Sequence, residues 1–288
     1  MRLDWRAVRL AMALALVPFM AACEAANGLA DRPDRADGEA ALGVMTSLPL
    51  LFPLGGDFAA VTRGTSEVPW LGESLGRVFD IRALDTLSEI AAIDPDKPST
   101  DPLAGLDRLA IIQPRGLSPA DNVALDDWVR AGGHLLLALD PALSGHYDVA
   151  IGDPRHPSVT ALIPPVVARW GLRMRFDPDQ PRESRAAAFP GGSIPLLLAG
   201  EFVALKAGQQ GDGCSILAEG AMARCTIGTG RVTLLADAAV FEHDRGSGHA
   251  QGRSEGVNAP TGAGDHYAGD HGEQAEALEA LLAYAFAE

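Results

Sequence analysis

Two aspartates stand at the places where open α/β sheets carry their chemistry. Asp140 ends the apolar run LLLALDP and Asp237 ends VTLLADA. Ligands of such sheets bind in the crevice outside the carboxyl ends of the strands. Paired carboxylates there could face a metal or a cationic ligand. The reading favoured over it is that each accepts hydrogen bonds from the backbone of the loop that follows. Gln113, closing the run RLAIIQP, and Asp57, in a Gly-Gly-Asp loop after the first apolar run, complete the four polar residues expected around the crevice.

Other chemistries are weaker in the sequence. His243, His249, His266 and His271 fall close together beside Glu242, Asp244, Asp265 and Asp270, and imidazole with carboxylate can hold zinc. Their spacings match no compact metal motif, so surface histidines are expected; His243, His266 and His271 are the candidates should a metal bind. Asp270-x-x-Glu273 has a simpler use as a capping pattern for the last helix. Ser144-Gly145-His146, after the strand ending at Leu139, lacks the preceding glycine of a nucleophile elbow. Lys97 and Lys206, the two lysines of the chain, lack the glycines of a phosphate loop. Gly228-Thr229-Gly230 precedes a strand rather than following one, with Thr233 where a dinucleotide fingerprint needs its third glycine. No catalytic residue and no cofactor are expected. Cys214 and Cys225 flank a hairpin-like stretch, SILAEGAMAR, and a disulfide across it suits an oxidising compartment.

The elements that must position these residues centre on 108–141. A run of strand length (109–113) stops at Pro114. Ser118-Pro119 then offers an N-cap and a proline in the first helical turn. Val123, Leu125, Trp128 and Val129 are expected inward, and Gly132-Gly133 ends the helix before a second apolar strand at 134–139. Two buried strands joined by a helix form a βαβ unit, hence a parallel sheet covered on both faces. Around it the sequence predicts a strand within 42–51, a helix over 65–78 and a strand at 79–84. Turn chemistry at 94–102 comes next. Beyond 141 a helix is expected over 159–170, started late or kinked by Pro164-Pro165. A strand at 172–176 follows, then antiparallel strands at 193–205, 214–217 and 221–227, a buried strand at 231–236 and an amphipathic helix at 273–286. The fold class is therefore α/β: a largely parallel open sheet with helices on both faces, flavodoxin-like or amidotransferase-like, plus an antiparallel section around 185–235.

A chain of 288 residues with 47% hydrophobic and 21% charged residues is globular with ample core. Its formal charge of −15, with 21 arginines beside the two lysines, argues against nucleic acid and against electrostatic attachment to an anionic membrane. Arg2, Arg6 and Arg9 precede an apolar stretch at 10–22, too short for a membrane span of about 20 residues. Met20-Ala21-Ala22-Cys23 resembles a lipobox, with Cys23 as the lipidated residue; ordinary signal-peptidase cleavage and a short uncleaved anchor are the alternatives. All three imply export. The expected organisation is a signal peptide (1–22), a tether (23–40) and a single α/β domain (41–288). That domain would carry a β insertion at about 173–227 and a flexible Gly/His/Asp loop at 242–271.

The blocks LAIIQP at 109–114, GLSP at 116–119, Leu125-x-x-Trp-Val-Arg-Ala-Gly-Gly, LLLALDP at 135–141 and GTGRVTLLADAAVF at 228–241 resemble the exported auxiliary domains of uncharacterised ABC-type transport systems, the gliding-motility-associated group. That resemblance implies a class I glutamine amidotransferase-like fold without the amidotransferase machinery. It also implies a non-catalytic extracytoplasmic domain working beside separate permease and ATPase subunits, or other envelope proteins, with the membrane reached here through the lipid anchor. The chain departs from the group in having a lipoprotein start and no downstream membrane helix. The expected function is a ligand- or partner-binding scaffold on the periplasmic face of the envelope. A periplasmic hydrolase, metal-assisted or not, using Asp140, Asp237 and the late histidines is the alternative, and a purely structural envelope lipoprotein is a third reading.

Overall fold

The computed structural model of the protein describes residues 40–54, 59, 63, 68–147, 149–205, 213–242 and 266–287, with side chains in the last segment from Gly272 onward. The signal peptide, the tether up to residue 39, Cys23, Asp57, His243 and the loop from 243 to 265 lie outside the described residues, as do the side chains of His266 and His271. Glu39–Glu288 forms one compact unit.

Apolar residues without interruption build the middle of a seven-stranded sheet. Its strands are β1 (Ala41–Thr46), β2 (Asp80–Ala83), β3 (Arg108–Ile112), β4 (His134–Ala138), β9 (Cys214–Leu217), β10 (Met222–Ile227) and β11 (Gly230–Leu235), in the order β2-β1-β3-β4-β11-β10-β9. The first five in that order run parallel, and β10 and β9 are antiparallel. Side chains alternate between faces along each strand. Leu109, Ile111, Leu135 and Leu137 enter one core, where Leu125, Val129, Val167 and Trp170 cover them. Ala110, Ile112, Leu136 and Ala138 enter the other, under Leu278, Leu281, Leu282 and Ala285. Each fully buried leucine of this kind contributes about 1.5–3 kcal/mol relative to exposure.

The helices start and stop where their caps dictate. In α2 (Pro119–Arg130), Ser118 Oγ accepts from Asp121 N, and Asp121 returns a carboxylate oxygen to Ser118 N, a full capping box with Pro119 at the start. Gly132 follows with φ +122°, and at Gly133 an added Cβ would lie 2.4 Å from the Trp128 ring. Val123 is exposed rather than inward, because it stands two residues, roughly 200° of helical turn, from Leu125. The helix α1 (Trp70–Gly76) is shorter than predicted and leaves Val78 exposed. Pro164-Pro165 delays the next helix until α3 (Pro165–Arg169), since a residue before proline avoids helical angles.

The antiparallel section departs from one long strand at 193–205. It forms β6 (Arg185–Phe189) with β7 (Gly192–Leu196), and β5 (Leu172–Arg175) with β8 (Glu201–Ala204). Leu198, with φ +59°, breaks the run between β7 and β8. Cys214 and Cys225 are directly opposite in the β9–β10 register and form a disulfide. The closing helix, α4 (His266–Phe286), begins before the Asp270-x-x-Glu273 pattern, so that pattern is not its cap. Gly269 inside it costs about 1 kcal/mol relative to alanine, a small charge against a helix whose later half packs on the sheet. Arg224 donates to Tyr284 O and Ala285 O at its far end, where a cation suits the helix dipole. Among the described residues no helix is long and apolar enough to cross a membrane.

Candidate functional site at the carboxyl edge

The register that aligns Ile112 with Ala138 and Ala138 with Leu235 delivers Gln113, Asp140 and Asp237 to one edge of the sheet. All three are essentially inaccessible, at 0–1% exposure. Gln113 adopts φ +45° and spends its whole amide on neighbouring backbone. Its Nε2 donates to Asp140 O at 3.1 Å and Ser158 O at 2.7 Å, and its Oε1 accepts from Asp140 N at 2.7 Å. It is a rivet between the loops after β3 and β4.

The two aspartates behave alike. Asp140 Oδ1 accepts from Ala142 N at 2.7 Å and Oδ2 from Ala238 N at 2.9 Å. Asp237 Oδ1 accepts from Ala239 N and Oδ2 from Leu197 N, both at 2.6 Å. Asp140 thus ties β4 to the turn after β11, and Asp237 ties β11 to the end of β7. Burial pushes the Asp140 carboxyl up to about 7, Ala142 N–H and Ala238 N–H oppose that rise, and the nearby Glu242 charge adds to it. Burial, followed by the charge of Asp140, raises Asp237 well above the ordinary carboxylate value.

Glu242 is the third acid of this edge and the residue whose role the sequence concealed. Its Oε1 accepts from Ser144 N at 3.1 Å, Gly145 N at 2.5 Å and the Tyr147 hydroxyl at 3.1 Å; its Oε2 accepts from Ser144 Oγ at 2.8 Å. Burial and the Glu242 charge drive the Tyr147 hydroxyl upward, so it stays a donor. The serine of the Ser-Gly-His stretch therefore belongs to a loop clamp. The one signal that pointed here was the acidic pair bracketing AAVF in Asp237–Glu242, which folds as a turn of 3-10 helix at Ala239–Phe241. Among the described residues, no three His, Cys, Asp or Glu side chains are arranged to hold a metal ion.

Outside this clamp lies a cleft of about 520 Å³, within the size range of small-molecule sites. Ser144, Gly145 and Glu242 form its inner wall, Leu197, Ser193 and Arg185 belong to the hairpin side, and Gln274 and Ala277 of α4 face them. Nothing in the sequence marked the hairpin residues, which reach the edge only because β7 packs along α4.

The geometry defines a doubly wound α/β domain whose carboxyl-edge crevice is clamped by buried acids and opens into a cleft. Residues 61–180 match the family described as ABC-type uncharacterized transport system. No curated protein matches the chain. Among solved structures, the chain is similar to an exo-β-1,4-mannosidase from Opitutaceae bacterium strain TAV5. Identity there is 12%, the TM-score is 0.43, and the match covers 86% of this chain and 36% of that one. It is also similar to a β-galactosidase from Bacillus circulans sp. alkalophilus, with 13% identity, 69% and 28% coverage, and TM-score 0.38. A cytoplasmic protein from Salmonella typhimurium LT2 gives 15%, 58% and 74%, with TM-score 0.36. The chain spans about a third of the glycosidases' length, and likenesses this distant carry no argument about its chemistry.

Proposed function

We propose that the chain is a non-catalytic, extracytoplasmic component of an ABC-type transport or envelope system, a scaffold that binds a ligand or partner at its carboxyl edge. In this reading export follows the N-terminal segment, Cys23 carries the lipid that holds the domain at the periplasmic face, and separate permease and ATPase subunits are the partners. The match of residues 61–180 to the transport-system family carries the proposal. The carboxylates support it: a hydrolase using Asp140 and Asp237 would need them turned to a substrate, whereas each is occupied by two backbone amides.

Affinity purification of the full chain from its own membranes tests this reading. The expected result is co-purification of a permease and an ATPase, with palmitate labelling that Cys23→Ala abolishes. Recovery of the chain without either subunit, together with hydrolytic turnover lost in Asp237→Asn, would establish the enzyme instead.

A further inference from the structure

The cleft has more unspent hydrogen-bonding capacity than the clamp behind it. Arg182 lines it and makes no ion pair or hydrogen bond among the described residues. Arg185, beside it, is committed to Glu219 at 2.6 Å. The hydroxyls of Ser184 and Ser193 also line the cleft without a partner among the described residues. Gln274 directs Nε2 to Ala239 O, Val240 O and Glu242 O, which leaves its Oε1 as an acceptor in need of a donor. Glu242, by contrast, is saturated by its four donors. Leu197, Ala239 and Ala277 add apolar surface.

We propose that this cleft binds a small polyhydroxylated carboxylate, of the sugar-acid class, with its carboxylate on Arg182 and its hydroxyls on Ser184, Ser193 and Gln274. The chemistry follows from the inventory. A guanidinium presents a donor fork suited to a carboxylate. An uncharged amide oxygen calls for a neutral O–H donor, and two serines can donate or accept. Glu242 and Glu273, which also line the cleft, disfavour a second negative charge and so leave Arg182 as the place for the anion. A fully apolar ligand would leave these groups dry and unpaired, at a cost in affinity. The proposal deepens the binding role given above and rests on it.

Titration calorimetry on the purified full chain tests it, with D-glucuronate as probe and D-glucose and hexanoate as controls that each lack half of the recognised chemistry. D-Glucuronate should bind saturably at one site per chain, and both controls at least about 10-fold more weakly. Arg182→Ala, on an exposed loop, should fold normally by circular dichroism and lose about 10-fold in affinity for D-glucuronate while leaving D-glucose unchanged. Equal binding of hexanoate, an unaffected Arg182→Ala, or no heat from D-glucuronate at millimolar concentration would overturn the proposal. If permease and ATPase still co-purify in that last case, the cleft assignment falls while the transport-system reading stands.

Discussion

Two groups of buried acids hold this molecule together by opposite means. At the seam between α2 and α3, Asp126 is surrounded by cations and donors: Arg130 Nε at 2.9 Å, Arg169 Nε at 2.6 Å and Trp170 Nε1 at 2.9 Å. Burial alone would raise its carboxyl, but the bonds from Arg130 and Trp170 and the two arginine charges outweigh burial and hold it below the ordinary value. At the carboxyl edge, Asp140, Asp237 and Glu242 share one neighbourhood, and the bonds described there come from backbone amides and hydroxyls. The same side chain is thus an anion with countercharges in one place and a proton-hungry acceptor in the other. Partners and depth act together: Asp126 has two arginine countercharges, whereas Asp140 and Asp237 are more deeply enclosed and have acids for neighbours.

The contrast should appear most strongly as opposite pH slopes. Asp140 has its folded value raised from 3.8 to about 7, so the folded state holds that proton more tightly than the unfolded chain. Its contribution is fully present below about 4 and is lost as pH rises toward and through 7, on the order of 1 kcal/mol per pH unit in between. Asp126 is lowered, so its contribution is present above its unfolded value and is lost as pH falls through the folded one. Urea unfolding at a series of pH values should therefore show greatest stability in the mildly acidic range. In Asp140→Asn the protein should be weaker overall, because one backbone amide meets an NH2 group, but flatter between about pH 4 and 7, the interval between the two values. Parallel profiles for the two proteins would erase the distinction between the regions.

A smaller effect, of about 2 kcal/mol, is expected from Asp126→Ala at neutral pH. Arg130 and Arg169 can return to water, whereas the buried Trp170 N–H loses its acceptor. A shift of the urea midpoint that depends steeply on salt would instead place the energy in the ion pairs. Smallest is Glu242→Gln, which keeps an acceptor for the loop amides and costs about 1 kcal/mol or less. Removing its charge should lower the Asp140 value below about 7, visible as a displaced carboxyl titration in NMR; an unmoved titration would mean that the two acids do not feel each other.

The βαβ core was legible because its signals are local. Ser118-Pro119, Gly132-Gly133 and two uninterrupted apolar runs each state their own conformation, and parallel strands buried on both faces need no alternation. The edge residues Gln113, Asp140 and Asp237 were legible as positions, since each follows such a run. The bonds of Asp140 to Ala142 N and of Asp237 to Ala239 N are the expected ones to the following loop; the remaining partners, Ser158, Ala238 and Leu197, were not legible because they are distant in sequence. Glu242 was grouped with the histidines beside it, although its donors lie in the loop after β4. The long strand expected over 193–205 failed for a related reason: apolar content continues through Leu198, while the backbone turns there to send β7 toward α4 and β8 toward β5.

The order of strands in the sheet also sets a problem of timing. β4 sits at the centre, between β3 and β11, yet β3 immediately precedes it in the chain while Gly230 emerges only after the whole antiparallel section. During synthesis, β4 therefore has one satisfied edge and one bare one, and a bare edge of an apolar strand invites pairing with another chain. The excursion from β5 to β10 lengthens that interval. A nascent copy of this protein must be kept from its neighbours until its last core strand arrives, which makes protection of that bare edge a requirement of the topology itself.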